Sequence, residues 1–166
     1  GSTAGAFLDK DPTLSGDAEL DGYITEFIKQ TGTGYAGLRK AYDIISSYPY
    51  SQGNRWPGAN WEEWSIPYAK EMYLNKTGNC YRYASLMCWT ARRLGYDAKV
   101  VPGWIPGRIN PHCDHGWVEV LLNGEIYLID AEMNGDDGYP EYDWFMIKYA
   151  DAHLRYYDLN DNRILR

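Results

Sequence analysis

The chain has 166 residues, a formal net charge of −7 and an apolar fraction of 45%. This length is sufficient for one domain with a hydrophobic core of its own. The acidic balance argues against nucleic acid and anionic membrane surfaces as partners, because both bind basic protein faces, and no stretch reaches the roughly 18 apolar residues of a membrane span.

The first part of the chain has helical patterns. Residues 1–16 are small and polar and contain Gly and Pro, so we expect a linker or N-terminal arm before a single domain at 17–166. Apolar residues at helical spacing then predict four helices. The third should begin near Ser65, because Pro67 is tolerated in a first turn. The predicted helices lie at about 17–30, 38–48, 65–74 and 79–94.

The fourth predicted helix carries a cysteine in its first turn. Asn79 suits the N-cap position, and Gly95 suits the position that follows the last turn. Cys80 would then lie where unpaired N–H groups and the positive end of the helix dipole favour a thiolate, which is the nucleophilic form of the side chain. The chain has three cysteines, and such a low, odd number does not indicate a disulfide framework. Cys88, about 12 Å further along the helix, is interpreted as a core residue.

The second part of the chain has strand patterns. Runs of β-branched and apolar residues, separated by turn residues, predict strands at 97–105, 115–122, 125–130 and 144–149. Helices followed by an antiparallel sheet are typical of the α+β class, with the N-terminal helices packed on the sheet.

One turn fixes the relative positions of two polar residues. Asn123-Gly124 is the strongest short signal for a two-residue hairpin loop. The register that follows places Trp117 opposite Asp130 and His115 opposite Glu132. Opposed residues share a sheet face and side chains alternate, so all four project from the same face. His115 and Asp130 become diagonal neighbours, with backbones about 7–8 Å apart, and an imidazole can reach a carboxylate from there.

A helix-start cysteine, a histidine and an aspartate on adjacent strands form a possible catalytic triad. Cys80 would be the nucleophile, His115 the base that later protonates the leaving amine, and Asp130 the group that orients the imidazole. The backbone N–H of Cys80 should be one donor to the oxyanion. Further residues are candidates for the second donor or for the walls of the cleft: Trp61, Trp64, Tyr68, Asn75 and Trp117. His112 and Cys113 are expected to line the cleft beside the base and to contact substrate.

Several blocks of the sequence resemble the transglutaminase-like core. They occur in order within residues 60–132: Gly78-Asn79-Cys80, Tyr83-Ala84, and the runs 94–98, 101–103, 115–120 and 127–130. The resemblance implies a papain-like α+β fold and a Cys-His-Asp triad made of Cys80, His115 and Asp130. The family includes protein-crosslinking transglutaminases, bacterial cysteine peptidases and peptide:N-glycanases. Gly116 departs from the pattern, because family members often carry Ala there.

The chemistry implied is acyl transfer through a thioester, without a cofactor or a metal. Hydrolysis of a protein or peptide amide is favoured, because water is always present and nothing marks a lysine-binding channel. Crosslinking by a protein-glutamine transglutaminase remains the first alternative. A non-catalytic binding module of a cell-surface protein is the second, since the aromatic fraction of 16% would suit it. The resemblance and the N-terminal arm favour an extracytoplasmic bacterial protein.

Metal binding is a further alternative. The run 112–115 places His, Cys, Asp and His in four consecutive positions, and all four side chains are possible ligands. Zinc sites use such residues but usually draw them from separate segments. Consecutive residues of a strand point to alternate faces, which spoils tetrahedral geometry. We therefore expect no metal site.

Overall fold

The computed structural model describes residues 13–133 and 142–166. Four helices precede a three-stranded antiparallel sheet with the order β1-β2-β3, so the predicted α+β class is confirmed. Every helix in the described part of the chain is too short or too polar for a transmembrane segment. The elements are α1 (Ala18–Thr31), α2 (Gly34–Ser46), α3 (Trp61–Asn75), α4 (Cys80–Arg93), β1 (Asp97–Ile105), β2 (Cys113–Leu122), β3 (Glu125–Ile129) and a 3₁₀ turn (Tyr149–Asp151).

Most of the expected N-terminal arm, residues 1–12, lies outside the described residues. Just after it, the backbone N–H of Ser15 donates to Asp21 (2.9 Å), and Arg93 donates to the carbonyl of Thr13 (3.1 Å). These bonds join the chain before α1 to α1 itself and to the end of α4.

Helix α4 is the central element of the fold. All of its residues except Arg82 and Arg93 are buried. The helix ends as predicted, with Gly95 in the left-handed region (φ 98°) and its N–H donating to the carbonyl of Arg92. The N–H of the next residue donates to the carbonyl of Ala91, which completes a Schellman cap. The buried body of α4 therefore holds its first turn, and Cys80 with it, in a fixed position.

The start of α4 is held differently from the prediction. Asn79 occupies the N-cap position, but its side chain makes no capping hydrogen bond. Instead its amide donates to the carbonyl of Asn54 (3.0 Å) and its Oδ1 accepts from Arg82 (3.0 Å). Asn79 thus ties the loop before α3 to the start of α4.

The predicted start of α3 is wrong. The helix begins at Trp61, so Pro67 lies inside it rather than in its first turn. The turn before the proline is buried against α4: Ser65 accepts a hydrogen bond from the indole of Trp89 (2.9 Å), and Trp64 is also buried. Because these contacts hold the backbone in place, the helix continues through a residue that would otherwise end it.

The predicted register of the hairpin is confirmed. Leu122 pairs with Glu125, and Val118 pairs with Ile129. On the other side of β2, His115 pairs with Gly103 of β1. The three strands therefore place His115 in the sheet as the turn residues required.

The predicted strand at 144–149 is wrong. The segment makes a single bridge, between Ile147 and Leu128 of β3. Met146 has a positive φ of 50°, which an extended strand does not allow. Further along, Tyr157 makes a similar single bridge to Trp104 of β1. The C-terminal segment thus contacts both edges of the sheet.

Close packing explains why Gly116 is a glycine here. A Cβ at this position would lie 2.8 Å from Cδ1 of Tyr81, on the first turn of α4. We expect Gly116→Ala to lower the free energy of unfolding by about 1–3 kcal/mol, because the ring of Tyr81 must move. Chemical denaturation measures this change.

Gly22→Ala is the matched control. Gly22 lies in α1, and a Cβ there would meet nothing within 4 Å. Alanine is the better helix former, so this variant should gain about 0.5–1 kcal/mol. Equal stability of the Gly116→Ala variant and the parent would contradict the steric explanation.

Candidate active site

Cys80 is the first residue of α4, and its side chain is 2% exposed. The first N–H groups of a helix have no partner within the helix, and the helix dipole adds a positive field there. Cys80 and His115 both line a cavity of about 360 Å³. The helix therefore presents a thiol to a cavity that is large enough to admit part of a substrate.

His115 and Asp130 are both buried and directly hydrogen-bonded. Nε2 of His115 lies 2.7 Å from Oδ2 of Asp130, which leaves Nδ1 for the thiol of Cys80. Burial lowers the pKa of His115, but the charges of Asp130 and Cys80, and hydrogen bonds to both, raise it well above its ordinary value. The site therefore favours an imidazolium beside Cys80.

Tyr156 is a part of the site that the sequence did not indicate. Its hydroxyl donates to Oδ2 of Asp130 (2.8 Å), the same oxygen that His115 contacts. Burial and the charge of Asp130 raise the pKa of Tyr156 well above its ordinary value, so it remains a neutral donor. The alternating Tyr and Leu residues of this segment gave no signal as to which hydroxyl would reach the carboxylate.

Arg55 also reaches the site, from the loop between α2 and α3. Its Nη2 lies 3.9 Å from Sγ of Cys80 and 3.7 Å from Sγ of Cys113, and its Nε lies 3.2 Å from Oδ1 of Asp114. Burial lowers the pKa of Arg55, but the charges of Cys80 and Asp114 outweigh this effect and raise it. A permanent cation therefore stands beside the thiol. The loop lacks periodicity, so the sequence did not predict this contact.

The family model of the transglutaminase-like superfamily matches residues 22–146. The chain belongs to this superfamily. The match extends the predicted resemblance, which covered residues 60–132, into the N-terminal helices. No curated protein matches the chain.

Solved structures support the transglutaminase-like fold. The chain is similar to a candidate cysteine protease from Cytophaga hutchinsonii, with a TM-score of 0.53 and 20% identity over 76% of this chain and 40% of that one. It is also similar to the periplasmic domain of TgpA from Pseudomonas aeruginosa, with a TM-score of 0.52 and 19% identity over 76% of this chain and 45% of that one. The ethylmercury-bound form of that domain has a TM-score of 0.50 and 17% identity over 74% and 46%. The chain thus spans less than half the length of these structures.

Four residues of α3 were expected to line the cleft or to donate to the oxyanion. In the structure their side chains lie elsewhere, so this prediction is corrected. Trp61 packs on the indole of Trp89 and Tyr68 beneath the guanidinium of Arg82, while the indole of Trp64 donates to a loop carbonyl. Asn75 is exposed at the end of the helix. None of the four lines the cavity, although α3 packs against α4 and Trp64 contacts the ring of Tyr81 in its first turn.

The predicted place of Trp117 in the cleft is also corrected, although the sheet face that it occupies was predicted correctly. It shares a face with His115, but the C-terminal segment covers this part of the sheet. The indole donates to the hydroxyl of Tyr149 (2.7 Å) and meets the ring of Tyr156 at 4.6 Å. Trp117 therefore packs in the core, with its ring centre 5.9 Å from that of His115, and does not line the cavity.

His112 and Cys113 were both expected to contact substrate, but the structure places them in different surroundings. Cys113 lines the cavity, and burial raises the pKa of its thiol. His112 does not line it, because its ring stacks on Trp104 at 3.9 Å and bonds to Asp161 at 3.2 Å. His112 is therefore corrected to a surface contact outside the cavity.

The possible ligands of the run 112–115 point to different partners and share no centre. A different group lies at the triad, where His115, Asp130 and Glu132 bring ligand atoms within 4.8 Å of one another. In the structure, His115 and Asp130 are hydrogen-bonded directly to each other at 2.7 Å. Asp130, and not Glu132, is the carboxylate that holds the imidazole.

Proposed function

We propose that the chain is a cysteine hydrolase that cleaves amide bonds of peptides or proteins through a thioester acyl-enzyme. One observation carries the proposal. Cys80 and His115 line the same cavity, and Asp130 holds the far nitrogen of the imidazole at 2.7 Å. This is the nucleophile, base and orienter arrangement of a cysteine triad. Membership of the superfamily supports the same class of chemistry.

The reaction would proceed in two halves. The thiolate of Cys80 attacks the amide carbon, a C–S bond forms, and the charge moves to the carbonyl oxygen beside the first N–H groups of α4. The C–N bond then breaks, and the imidazolium of His115 gives its proton to the leaving amine. In the second half, His115 takes a proton from water, which attacks the thioester and releases the acid and the thiolate.

The cavity suits a peptide chain. Its walls include the apolar side chains of Ile105, Met133 and Leu154. Polar and charged residues, among them Arg55, Asn110 and Glu132, line the same cavity. Apolar walls with a few convergent polar groups are typical of substrate sites.

We also propose that residues 17–166 form one domain and act outside the cytoplasm. The similarity to periplasmic domains of TgpA supports the location, at the level of fold. A membrane-anchored or longer parent protein is compatible with this proposal.

The proposed function is tested with two measurements on one protein. A mixture of defined peptides is incubated with the enzyme in the presence of a fluorescent primary amine, and mass spectrometry follows the products. Iodoacetamide labelling near neutral pH, with peptide mapping, gives the reaction rate of each cysteine. We expect new peptide termini or free carboxylates, together with preferential labelling of Cys80.

The outcomes separate the three functions. Incorporation of the amine in place of hydrolysis would identify a transglutaminase. A non-catalytic binding module would give neither product, and Cys80 would react no faster than a free model thiol. Cys88, which is completely buried, is the internal reference for an unreactive cysteine.

A further inference from the structure

We propose that Arg55 is a fourth catalytic residue, which stabilises the thiolate of Cys80 and then donates to the oxyanion formed in the attack. The inference rests on the proposed function and adds a role that the triad leaves open. Besides the backbone N–H of Cys80, an oxyanion site needs a second donor, and none of the aromatic or amide side chains predicted for it lines the cavity. Arg55 does line it.

The guanidinium group is held on three sides. Nε donates to Oδ1 of Asp114 (3.2 Å), Nη1 donates to the hydroxyl of Tyr50 (3.0 Å), and Nη2 donates to the carbonyl of Asp114. Nη2 also lies 3.9 Å from Sγ of Cys80. The planar fork of an arginine loses little freedom when it is bound this way. Nη2 of the cation therefore lies within hydrogen-bonding distance of the reacting sulfur before substrate arrives, and also of Sγ of Cys113 at 3.7 Å.

The loop that carries Arg55 is attached to the same helix start that carries Cys80. Asn79 donates to the carbonyl of Asn54, the residue before Arg55. The N–H of Ser51 donates to the carbonyl of Gly78 (3.0 Å). Because the loop is fixed to the residues immediately before Cys80, the nucleophile and the cation are positioned together.

Tyr81 links the cation to α4 a second time. Its hydroxyl donates to Oδ2 of Asp114, and the guanidinium of Arg55 lies 5.9 Å from the centre of its ring. Burial raises the pKa of Asp114, but the hydrogen bond from Tyr81 and the charge of Arg55 outweigh this effect and lower it. Asp114 therefore remains a carboxylate that orients Arg55. Since it also offsets part of the positive charge, the directed N–H groups of Arg55 matter more than its net charge.

In the first half of the reaction the negative charge moves from one atom near Arg55 to another. The sulfur of Cys80 forms a bond to the carbonyl carbon, and the π pair of the carbonyl moves to its oxygen. The oxygen then lies beside the bond to Sγ, within reach of the same Nη2 group and of the Cys80 N–H. When the tetrahedral intermediate collapses, the pair returns, the C–N bond breaks, and the amine takes a proton from His115. Arg55 is unchanged at the end.

Arg55→Gln and Arg55→Lys distinguish the two proposed roles of the cation, which are stabilising the thiolate and donating to the oxyanion. Glutamine removes the charge, and we expect kcat to fall by about 10²–10³-fold, as for loss of an oxyanion donor. The pH profile of Cys80 alkylation should also move to higher pH. Lysine keeps the charge but lacks the fork, so it should keep most of the alkylation profile while losing most of kcat. KM should change little in either variant.

Arg39→Gln is the matched control. It removes the same charge from a half-buried arginine that pairs with Asp43 and Asp143, away from the cavity. We expect its kcat and its alkylation profile to equal those of the parent. The other titratable groups around Cys80 are present in all of these variants: Tyr50, Cys113, Asp114, His115, Asp130 and Glu132.

The results can overturn the inference without touching the proposed function. An Arg55→Gln enzyme with the parent's kcat and alkylation profile would do so, provided that Cys80→Ala is inactive. A rise in KM alone, with both other quantities unchanged, would also do so, because it would show a binding role only. If Arg55→Gln does not fold, as judged by circular dichroism, Arg55→Lys with the parent's kcat overturns the oxyanion role. A parent protein whose Cys80 is no more reactive than a free thiol ends the proposed function instead.

Discussion

Cys80→Ala is expected to reduce amide hydrolysis by about four orders of magnitude or more, because it removes the sulfur that is hydrogen-bonded to His115. Cys80 is 2% exposed, and the substitution removes only its sulfur atom at the start of α4, so folding should be retained. The measurement is kcat/KM for a peptide that the parent cleaves, together with a search for the acyl-enzyme by intact-protein mass spectrometry.

Cys88→Ala is the control for this prediction. It removes a thiol from the same helix, two turns further on, where the side chain is completely buried. Loss of this core contact should cost about 1–2 kcal/mol of stability and leave kcat/KM unchanged. Hydrolysis that survives Cys80→Ala, or that is lost with Cys88→Ala in a folded protein, would rule out Cys80 as the nucleophile.

His115→Gln should reduce kcat/KM by about 10³–10⁴-fold, since glutamine has similar size but cannot carry the proton. His115 bonds Asp130 on one side and Cys80 on the other, so the same variant should lose the rapid alkylation of Cys80 near neutral pH. A folded His115→Gln protein that alkylates at the parent's rate would contradict the pairing of the thiol with the imidazole.

Asp130→Asn changes the pH dependence of the same pair. The charge of Asp130 raises the pKa of His115, so its removal should lower that pKa. In the proposed mechanism the protonated imidazole supplies the proton to the leaving amine, so activity should be lost as pH rises through its pKa. The alkaline limb of the kcat/KM profile should therefore move to lower pH in Asp130→Asn.

Glu132→Gln is a control of equal charge. A carboxylate oxygen of Glu132 lies within 4.8 Å of both His115 and Asp130, whereas Asp130 makes the direct bond to Nε2 of His115. The alkaline limb should move less in Glu132→Gln than in Asp130→Asn. The reverse order would mean that Glu132, and not Asp130, is the partner of His115.

Local signals in the sequence were sufficient to place Cys80 at a helix start and His115 and Asp130 on one sheet face. The Asn123-Gly124 turn determined the register of the hairpin, and the register determined that His115 and Asp130 share a face. The helical pattern and Gly95 placed Cys80 in a first turn. Each of these conclusions depends on residues close together in the chain, where steric rules of turns and helices act directly.

Elements whose limits depend on distant contacts were predicted poorly. α3 continues through Pro67 because Ser65 and Trp64 are buried against α4. The segment at 144–149 has the composition of a strand, but it turns at Met146 and makes only one bridge, at Ile147. Local propensity is weaker than the packing of a buried helix turn or the course of a covering segment.

The sequence by itself determined the family, the fold class and the residues from which a nucleophile, a base and a carboxylate could be chosen. Only the tertiary structure decided what surrounds them. Arg55 is 25 residues before Cys80 in an irregular loop, and Tyr156 is 26 residues after Asp130. Nothing periodic connects such pairs, because irregular segments of the chain make these contacts and their course depends on tertiary packing. For the same reason, the sequence did not show that the tryptophans of α3 and Trp117 lie away from the cavity. These rings pack against other parts of the protein instead.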